Sequence, residues 1–350
     1  MVDVAFAIPG DLNTPTGGYA YDREILARLP ALGIRARHLQ LAGGYPEPSA
    51  DDLSQTQALF AGLDLTNVLL VDGLAFGAIP EEIIRDVRVP IIALVHHPLG
   101  YEPGLPEERA EQLIASERAA LKFARRVIVT SPFTKRLLTQ EFEVPPNLIT
   151  VAMPGTAPAE RASGSGDGQE IKLLSVGSIT PRKGYPILVQ ALAPLSGLDW
   201  RLTIVGPQDR DRAAFAELQA AIARHKLDDR IELTGALDRQ RIAEAYAGAD
   251  VFVLPSLFEG FGMVLTEAMA RGLPIVCTTG GAAAETVPDD AALKVPPGAV
   301  EPLREALRQV ICDADLRRRL ADASWRAAQQ LPRGEETAHR NAAVVRGGGP

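Results

Sequence analysis

Two carboxylates eight positions apart, Glu259 and Glu267, are the residues whose types and spacing are best suited to chemistry. Glu259 lies in a turn with Gly260 and Gly262, and Glu267 lies about one turn into the helix that follows. The preceding apolar run Val251–Leu254 predicts a buried parallel strand. A strand, a glycine turn and a helix direct free N–H groups to the carboxyl edge of a sheet, where open α/β folds hold anionic ligands.

Such a carboxylate pair could hold hydroxyl groups on either side of a bound phosphate. A sugar nucleotide has that layout of sugar, diphosphate and ribose. The alternative interpretation makes Glu267 a favourable partner of the helix dipole and Glu259 a solvated turn residue. The turn glycines and the flanking strand favour a binding site over that alternative.

Two adjacent cations follow another predicted strand. Strand Ile171–Val176 runs into the turn 177–184, in which Arg182 and Lys183 stand side by side before a helix. Arginine offers a bidentate fork and lysine a point charge, and both can neutralise the negative charge that develops on a departing phosphate. A solvated surface pair is the alternative.

The N-terminal half carries candidates at equivalent places. Gly17 and Gly18 follow the predicted strand 2–8, where they let backbone approach a ligand closely or belong to an ordinary flexible loop. His96 and His97 follow the predicted strand 91–95, and histidine titrates near neutral pH. One of these histidines is a candidate contact for an acceptor or a sugar, and a merely structural histidine is the alternative.

Strand-like and helical stretches that alternate along the whole chain must position these residues. In the first half, strands are predicted at 2–8, 35–41, 68–71, 91–95, 127–130 and 148–151, and helices at 19–32, 107–124 and 134–142. In the second half, strands are predicted at 171–176, 200–205, 230–233, 251–254 and 275–277, and helices at 185–195, 213–225, 239–247, 263–271, 301–311, 315–330 and 335–345. Repeated βα units with apolar strands predict parallel sheets covered by helices on both faces.

A Gly-, Pro- and Ser-rich segment between the halves predicts a linker. We therefore expect an α/β protein with two doubly wound Rossmann-like domains facing across a cleft. The expected boundaries are 1–155 for the first domain, 156–170 for the linker, 171–331 for the second domain, and 332–350 for a C-terminal helix and frayed tail. The Gly-x-Gly-x-Gly run at 164–168 follows no strand and opens no helix, so it lacks the context of a dinucleotide fingerprint.

Composition and charge argue against several classes of protein. A net charge of −8 disfavours a nucleic-acid binder, which needs a basic surface. Cys277 and Cys312 have no metal-ligand spacing, which favours a reducing compartment. No window approaches 18 consecutive apolar residues, and the N-terminus reads as a strand and not as a signal peptide, so we expect a cytoplasmic protein. The basic stretch 107–136 could touch anionic lipid, but its interspersed glutamates favour a solvated helix face.

Together these segments resemble the retaining GT-B glycosyltransferases of family 4, the glycosyl transferases of group 1. The resemblance covers nearly the whole chain and is strongest from about residue 171 to 312. The stretch 258–274 resembles the family's signature with its Glu-x7-Glu pair, and Lys183 matches the lysine that binds the diphosphate. Where the family usually has an arginine directly after the strand-end glycine, this chain has Ser178, and Arg182 is expected to replace that arginine.

The resemblance implies a role for each candidate residue. Glu259 would contact the transferred sugar, and Glu267 would contact the nucleotide ribose. His96 would match the family's cleft histidine, and His97 stands where the family often has an Asp. The implied catalytic residues are Glu259, His96, Arg182 and Lys183. The resemblance makes the first domain the acceptor side and the second domain the nucleotide-sugar-binding side. The implied donor-binding residues are Gly17, Gly18, Arg182, Lys183, Glu259, Gly260, Phe261, Gly262, Met263, Val264 and Glu267.

The activity that the resemblance implies is transfer of a hexosyl unit from a UDP- or GDP-sugar to a hydroxyl acceptor. It would proceed with retention at the anomeric carbon and without a metal or other cofactor. Asp209-Arg210-Asp211 has the spacing of a metal motif, but its arginine-rich setting favours a helix start. The alternatives are a sugar-nucleotide epimerase or a phosphorylase on the same fold, and a non-catalytic sugar-nucleotide binder. The expected partners are the sugar nucleotide and its acceptor, with no nucleic acid and no transmembrane segment.

Overall fold

The computed structural model describes residues 2–166 and 170–348, and its contacts divide into two units. The first unit comprises residues 2–155 together with 332–348, and the second comprises the described part of 156–331. The C-terminal segment, which the sequence analysis set apart, therefore clusters with the first unit. Residue 1, residues 167–169 of the predicted linker and residues 349–350 of the predicted tail lie outside the described residues.

The first unit alternates strands and helices along one sheet. Its strands are β1 Val2–Pro9, β2 Ile34–Leu41, β3 Asn67–Asp72, β4 Ile91–Val95, β5 Arg126–Val129 and β6 Ile149–Val151. Its helices are α1 Gly17–Arg28, α2 Ala50–Ala61, α3 Gly73–Phe76, α4 Glu81–Arg85, α5 Glu107–Leu121 and α6 Pro132–Glu141.

The sheet of the first unit is parallel throughout, in the order β2-β1-β3-β4-β5-β6. Successive side chains of β1 enter two different cores, because strand residues alternate between the faces of a sheet. Ala5 and Ala7 join one core, whereas Phe6 and Ile8 join the other. Both faces are covered by helices, which explains why the central strand β4 is apolar and buried along its whole length, whereas the edge strand β2 carries exposed polar residues.

The second unit repeats this plan. Its strands are β7 Ile171–Val176, β8 Trp200–Val205, β9 Ile231–Gly235, β10 Val251–Leu254, β11 Ile275–Thr278 and β12 Ala292–Val295. Its helices are α7 Tyr185–Leu192, α8 Arg212–His225, α9 Arg239–Ala247, α10 Met263–Met269, α11 Ala283–Thr286, α12 Val300–Cys312 and α13 Ala314–Ala328, and α14 Gly334–Gly348 then returns to the first unit. None of the helices in the described ranges combines the length and the apolarity that a bilayer crossing demands.

The strand order of the second sheet indicates where on the sheet a ligand would bind. The order is β12-β11-β10-β7-β8-β9, with parallel pairs throughout, so the chain reverses its direction of travel across the sheet between β7 and β10. The loops after two such strands diverge to opposite faces and leave a crevice at the carboxyl ends, where open α/β sheets bind ligands. The loops that follow β7 and β10 are those that carry the predicted cations and Glu259.

The described part of the predicted linker is hydrogen-bonded to the second unit. The Thr156 hydroxyl donates to Oγ1 of Thr266 over 2.9 Å. Further along, Oδ1 of Asp250 accepts from the N–H of Ser165 over 2.9 Å, and its Oδ2 accepts from the N–H of Lys172 over 2.8 Å. Residues 156–166 are therefore held by side-chain and backbone hydrogen bonds, although their composition predicts only a linker.

Among the helices and strands named above, α2, α3, α4, α11 and β12 have no counterpart in the sequence analysis; α2 is the longest of these helices and β12 is the one strand. Helix α2 buries only Thr56 and Phe60, so its apolar periodicity is weak, and it begins with a capping box between Ser49 and Asp52. Strand β12 is four residues long, lies at the edge of its sheet and buries only its two end residues. In both elements tertiary contacts stabilise a segment whose own pattern is too short or too polar to predict it.

Replacing Phe252 of β10 by alanine should destabilise the second unit by about 3–5 kcal/mol, because the side chain is fully buried and its removal leaves a cavity. Both tryptophans of the chain, Trp200 and Trp325, lie in the second unit, so fluorescence during urea unfolding reports that unit. The Arg318→Ala variant is the control, since that side chain is 71% exposed and should change the stability by less than about 0.5 kcal/mol. Equal midpoints for the two variants would contradict the assigned core.

Candidate functional site

The loops after β7 and β10 are joined through their backbones. The N–H of Leu257 donates to the carbonyl of Arg182 over 2.7 Å. Gly184 ends the 3₁₀ turn Pro181–Lys183 at φ +65°, and a Cβ at this position would lie 2.4 Å from the carbonyl oxygen of Pro255. Glycine tolerates both the left-handed backbone and the close approach. The two loops are therefore fixed against each other at the switch point of the sheet.

Glu259 lies between the two predicted cations. Nζ of Lys183 donates to Oε1 of Glu259 over 2.6 Å, and Nη1 of Arg182 lies 3.2 Å from Oε2. The same arginine nitrogen donates to the carbonyl of Phe258 over 3.0 Å. The side chains of Glu259 and Lys183 are 6% and 9% exposed, and that of Arg182 is 21% exposed. We call these three side chains the ion cluster; it contains two cations and one carboxylate.

The cations of the ion cluster keep Glu259 ionised. Burial acts to raise the pKa of this carboxyl, but Lys183 and then Arg182 outweigh it and lower the pKa of Glu259 to about 2. Glu259 therefore remains a carboxylate near neutral pH and does not donate a proton. It can accept hydrogen bonds, while the two cations can stabilise negative charge on a group beside them.

The loop after β11 braces the turn that holds Glu259. The N–H of Glu259 donates to the carbonyl of Gly280 over 3.2 Å, and the N–H of Ala282 donates to the carbonyl of Glu259 over 2.8 Å. Gly281 has φ +63°, and a Cβ there would lie 2.4 Å from the Glu259 carbonyl oxygen. The sequence analysis missed these glycines, although a Gly-Gly pair almost directly after a strand was the available signal.

The turn from Glu259 into α10 depends on Gly262. This residue has φ +88° and precedes the first helical residue, Met263, and a Cβ on it would lie 2.9 Å from Cδ1 of Leu265. The hydroxyl of Thr286 donates to the carbonyl of Phe261 over 2.6 Å and holds the turn from the other side. The predicted donor-binding stretch Gly260, Phe261, Gly262, Met263 and Val264 is buried or half-buried.

Glu267 has partners of its own, separate from the ion cluster. The phenol of Tyr246 donates to Oε2 of Glu267 over 2.9 Å, and Nη1 of Arg271 donates to the Glu267 carbonyl over 2.9 Å. The Arg271 guanidinium lies 4.4 Å from the centroid of the Tyr246 ring. Burial raises the pKa of Glu267, against the lowering effects of Tyr246 and Arg271. The sequence analysis missed Tyr246, because nothing in the pattern of α9 connects it to a residue 21 positions further along.

In the first unit, the predicted glycine pair begins a helix. Thr16 caps α1, which starts at Gly17, so the helix begins two residues before its predicted start at Tyr19. A Cβ on Gly18 would lie 3.3 Å from Cδ2 of His96. Gly18 thus allows close approach of a histidine ring that the sequence analysis had placed separately.

His96 lies between two buried aspartates. Its Nε2 is 3.3 Å from Oδ1 of Asp22 and 3.3 Å from Oδ2 of Asp72. Asp72 ends β3 and caps α3 through the N–H of Leu74, and Asp22 belongs to α1. The ring of Tyr21 meets the imidazole edge-on, with 5.4 Å between the centroids. The sequence analysis missed Asp22 and Asp72; the position of Asp72 at the carboxyl end of a strand was the one available signal.

We call Asp22, Asp72 and His96 the histidine cluster. Within it, the two aspartates shift the pKa of His96, and Asp72 shifts that of Asp22. Burial acts to lower the pKa of His96, but the two aspartates outweigh it and raise that pKa to about 10. The pKa of Asp22 is raised to about 7, by burial and then by the nearby charge of Asp72. The imidazole is therefore protonated near neutral pH.

The other titratable residues that the sequence singled out are His97 and the Asp-x-Asp sequence at 209–211. His97 pairs with Glu102 at 3.0 Å and is not part of the histidine cluster. Within the described ranges, the ligand atoms of the histidine cluster lie within 4.8 Å of one another, so these residues are the group that could hold a metal ion. Asp211 instead caps α8 by accepting from the N–H of Ala214 over 2.9 Å, in agreement with the helix start inferred for the Asp-x-Asp sequence.

We expect Glu259→Gln to remove a pH-dependent part of the stability of the second unit. A carboxyl whose pKa falls from 4.5 unfolded to about 2 folded stabilises the fold above pH 4.5, and this stabilisation disappears as the pH falls through 2. The difference in unfolding free energy between wild type and variant should therefore shrink by about 3 kcal/mol from about pH 6 to about pH 2.

Glu305→Gln is the matched control for that measurement. Arg308 also lowers the pKa of Glu305, but both side chains of this pair are about half exposed on α12. Water and salt screen an exposed pair, so the control should follow the wild-type curve. A pH-independent effect of Glu259→Gln would mean that the buried carboxylate is not stabilised by its two cations.

Known proteins resemble this chain in sequence and in fold. Residues 157–326 match the model of the family described as glycosyl transferases group 1. The 2-deoxystreptamine glucosyltransferase of Streptomyces kanamyceticus is 28% identical over 248 residues, which are 65% of this chain and 63% of that enzyme. The chain thus spans less than two thirds of that relative's length. The MMP alpha-(1->4)-mannosyltransferase of Mycolicibacterium hassiacum is 27% identical over 316 residues, 86% of this chain and 75% of that enzyme.

Solved structures share the fold over the whole chain. Sucrose-phosphate synthase from Thermosynechococcus elongatus superposes with a TM-score of 0.85 at 22% identity, with 99% of each chain covered. Anabaena Alr3699/HepE, solved in complex with UDP and glucose, superposes with a TM-score of 0.75 at 18% identity, covering 99% of this chain and all of that one. The two parallel sheets and these neighbours confirm the predicted GT-B fold of two Rossmann-like domains. Residues 157–326, which lie in the second unit, are therefore similar to the group 1 glycosyl transferases.

Proposed function

We propose that this protein is a retaining glycosyltransferase that moves a hexosyl unit from a UDP- or GDP-sugar to a hydroxyl acceptor without a metal. The observation that carries the proposal is the ion cluster at the switch point of the second sheet. A bidentate guanidinium and an ammonium group in the loop at the carboxyl end of β7 suit the diphosphate of a sugar nucleotide. A carboxylate in contact with both suits the hydroxyl groups of the sugar next to that diphosphate.

In the proposed reaction, Arg182 and Lys183 bind the diphosphate and stabilise the charge that develops as it leaves. Glu259 accepts hydrogen bonds from the transferred sugar and sets its orientation. With its low pKa, and held by two cations, Glu259 is poorly suited to attack the sugar as a nucleophile. Retention then follows from attack of the acceptor hydroxyl on the face from which the diphosphate departs, with the leaving phosphate taking the hydroxyl proton.

We further propose that Glu267 binds the nucleotide ribose and that Tyr246 positions it. The Tyr246 phenol occupies Oε2, which leaves Oε1 for ribose hydroxyls. The relatives support a sugar-nucleotide donor in general terms, since they are named as glucosyl- and mannosyltransferases. A structural neighbour has been solved with UDP and glucose. An acceptor met by the first domain and a cytoplasmic location remain predictions.

The donor nucleotide can be found by calorimetry with UDP, GDP and ADP. We expect one of them to bind, and Arg182→Gln to weaken its binding by about tenfold or more, because a charge-assisted hydrogen bond contributes about 1.5–3 kcal/mol. Arg308→Gln is the matched control, since that arginine is exposed and pairs with Glu305. With the matching sugar nucleotide and an acceptor panel, Glu259→Gln should lower the transfer rate by about 100-fold or more while nucleotide binding persists.

Each of four results would contradict part of this proposal. Formation of an epimer from the sugar nucleotide alone would identify an epimerase, and phosphorolysis of a glycoside would identify a phosphorylase. Undiminished transfer by Glu259→Gln would remove that residue from the site, and tight binding without any turnover would favour a non-catalytic binder.

The ribose contact has its own test. With the nucleoside diphosphate that binds, we expect Tyr246→Phe to reduce affinity about fivefold, since a hydrogen bond contributes about 1 kcal/mol. Affinity for the 2′,3′-dideoxy analogue should be unchanged, because that ligand cannot use Glu267. Tyr45→Phe removes a comparable buried phenol, bonded to Thr56 in the first unit, and should leave both affinities intact. An equal loss for both ligands would contradict a role at the ribose.

A further inference from the structure

A cavity of about 390 Å³ lies in the first unit and shares no lining residue with the ion cluster or the histidine cluster. Its walls come from the loop that joins β2 to α2, from the start of α2, from Ala78 just after α3, and from the N-terminal part of α5. Helix α3 follows β3 directly, and α5 begins after the loop that leaves β4, so these walls stand at the carboxyl ends of three parallel strands. Open α/β sheets bind ligands at that edge.

Four polar side chains line this cavity: Glu47 from the loop before α2, and Arg109, Gln112 and Ser116 from one face of α5. Nη2 of Arg109 donates to the Pro46 carbonyl over 3.3 Å, and its Nη1 donates to Oε1 of Gln112 over 3.5 Å. Both distances are long for hydrogen bonds. Within residues 2–166 and 170–348, Arg109 and Glu47 belong to no ion pair, and the Ser116 hydroxyl has no protein partner. These groups therefore retain hydrogen-bonding capacity for a ligand.

Two apolar side chains place the cavity on one face of the sheet. Leu53 and Ala78 line it and pack against the core that holds Ala5. Tyr21 of α1, whose ring meets that of His96, belongs to the core on the other face. A ligand in this cavity therefore lies on the face opposite to the one that α1 covers.

The protein itself fixes the walls of the cavity. Ser49 and Asp52 form the capping box of α2, directly after the loop that carries Glu47. The N–H of Glu47 donates to the carbonyl of Gly44 over 2.8 Å, and a Cβ on Gly44 would lie only 2.3 Å from Oδ2 of Asp52. Small-molecule sites are typically preformed, with apolar walls and a few polar groups, and occupy about 300–1,000 Å³. This cavity has each of those properties.

We propose that this cavity is a binding site for one uncharged saccharide unit. Each hydroxyl group of a sugar both donates and accepts hydrogen bonds, and the lining matches this because Arg109 offers donors, Glu47 offers acceptors and Gln112 offers both. The apolar walls suit the C–H face of a sugar ring. One guanidinium and one carboxylate give the lining no net charge, so a phosphorylated sugar would be repelled by Glu47 and an amino sugar by Arg109. An uncharged ring is the ligand that suits both side chains.

In the proposed function this unit is part of the acceptor, so its role, unlike the site, rests on that function. The cavity uses no residue of the ion cluster or the histidine cluster, and it lies on the face opposite to α1. The bound unit therefore anchors the acceptor and does not carry the reacting hydroxyl. Binding energy from a non-reacting unit that is equal in the ground state and the transition state lowers KM without raising kcat.

The direct test is a methyl NMR titration of the full-length protein, labelled with ¹³C at its leucine and alanine methyl groups. The probes are glucose, mannose, galactose and N-acetylglucosamine in the millimolar range. We expect at least one of these sugars to shift the signals of Leu53 and Ala78 saturably, because both methyl-bearing side chains line the cavity. The signals of Leu188, in a core of the second unit, should stay in place.

Three variants locate the binding. Arg109→Gln should weaken it about fivefold or more, because hydrogen bonds from a charged donor are stronger than neutral ones. Ser116→Ala should weaken it about threefold through the loss of one hydrogen bond, and it leaves no protein group without its partner. Arg118→Gln is the matched control, because that arginine lies on the same helix but donates to the Glu141 carbonyl and does not line the cavity.

The site is wrong if no probe shifts Leu53 and Ala78, or if Arg118→Gln weakens binding as much as Arg109→Gln does. The uncharged class is wrong if the 6-phosphate or the 2-amino derivative of a bound sugar binds about tenfold or more tightly than the sugar itself. These measurements need neither donor nor turnover. A protein without transfer activity refutes the proposed function and leaves the site standing, whereas transfer without sugar binding in this cavity refutes only this inference.

Transfer kinetics test the anchoring role. With an acceptor that contains the bound sugar, Arg109→Gln should raise KM about fivefold and change kcat by less than about twofold. A fall in kcat at unchanged KM would place the cavity at the reacting groups and contradict that role.

Discussion

The buried contact between Glu259 and its two cations is the constraint to which the rest of the second unit conforms. A carboxylate that is 6% exposed is stable only beside positive charge, and the positive charge comes from a loop 76 positions earlier in the chain. The two loops can meet because β7 and β10 are hydrogen-bonded neighbours. The glycines at 184, 262 and 281, all with left-handed backbone, allow these loops to pack closely enough for the side chains to touch.

Each unit has a buried cluster of charged side chains, and the two clusters have opposite net charge. The ion cluster has one more cation than carboxylate, and the histidine cluster has one more carboxylate than imidazole. In each case side chains from strand ends and a neighbouring helix or turn meet at the carboxyl edge of a parallel sheet. The excess positive charge suits an anionic group, and the excess negative charge raises the pKa of the His96 ring.

Much of the fold was predictable because of the physics of parallel sheets. Strands β4, β7, β8 and β10 have the bounds that the sequence predicts, and β4 and β10 are continuous apolar runs because both of their faces are buried. Helix α2 and edge strand β12 were not predictable, because few of their residues are buried. Of the site, Arg182, Lys183 and Glu259 could be chosen from their positions after strands. Asp72, which ends β3, offered the same signal, whereas Tyr246 and Asp22 did not, because their importance lies in contacts with distant residues.

The sequence by itself determined the alternation of strands and helices, the parallel sheets, and the loops in which catalytic side chains stand. These follow from local composition and periodicity, which each segment carries independently of the others. Only the tertiary structure decided which charges meet: Glu259 with Arg182 and Lys183, Glu267 with Tyr246, and His96 with two aspartates. Charge interactions act over a few ångströms of space, and strand order, which local sequence does not encode, sets those distances.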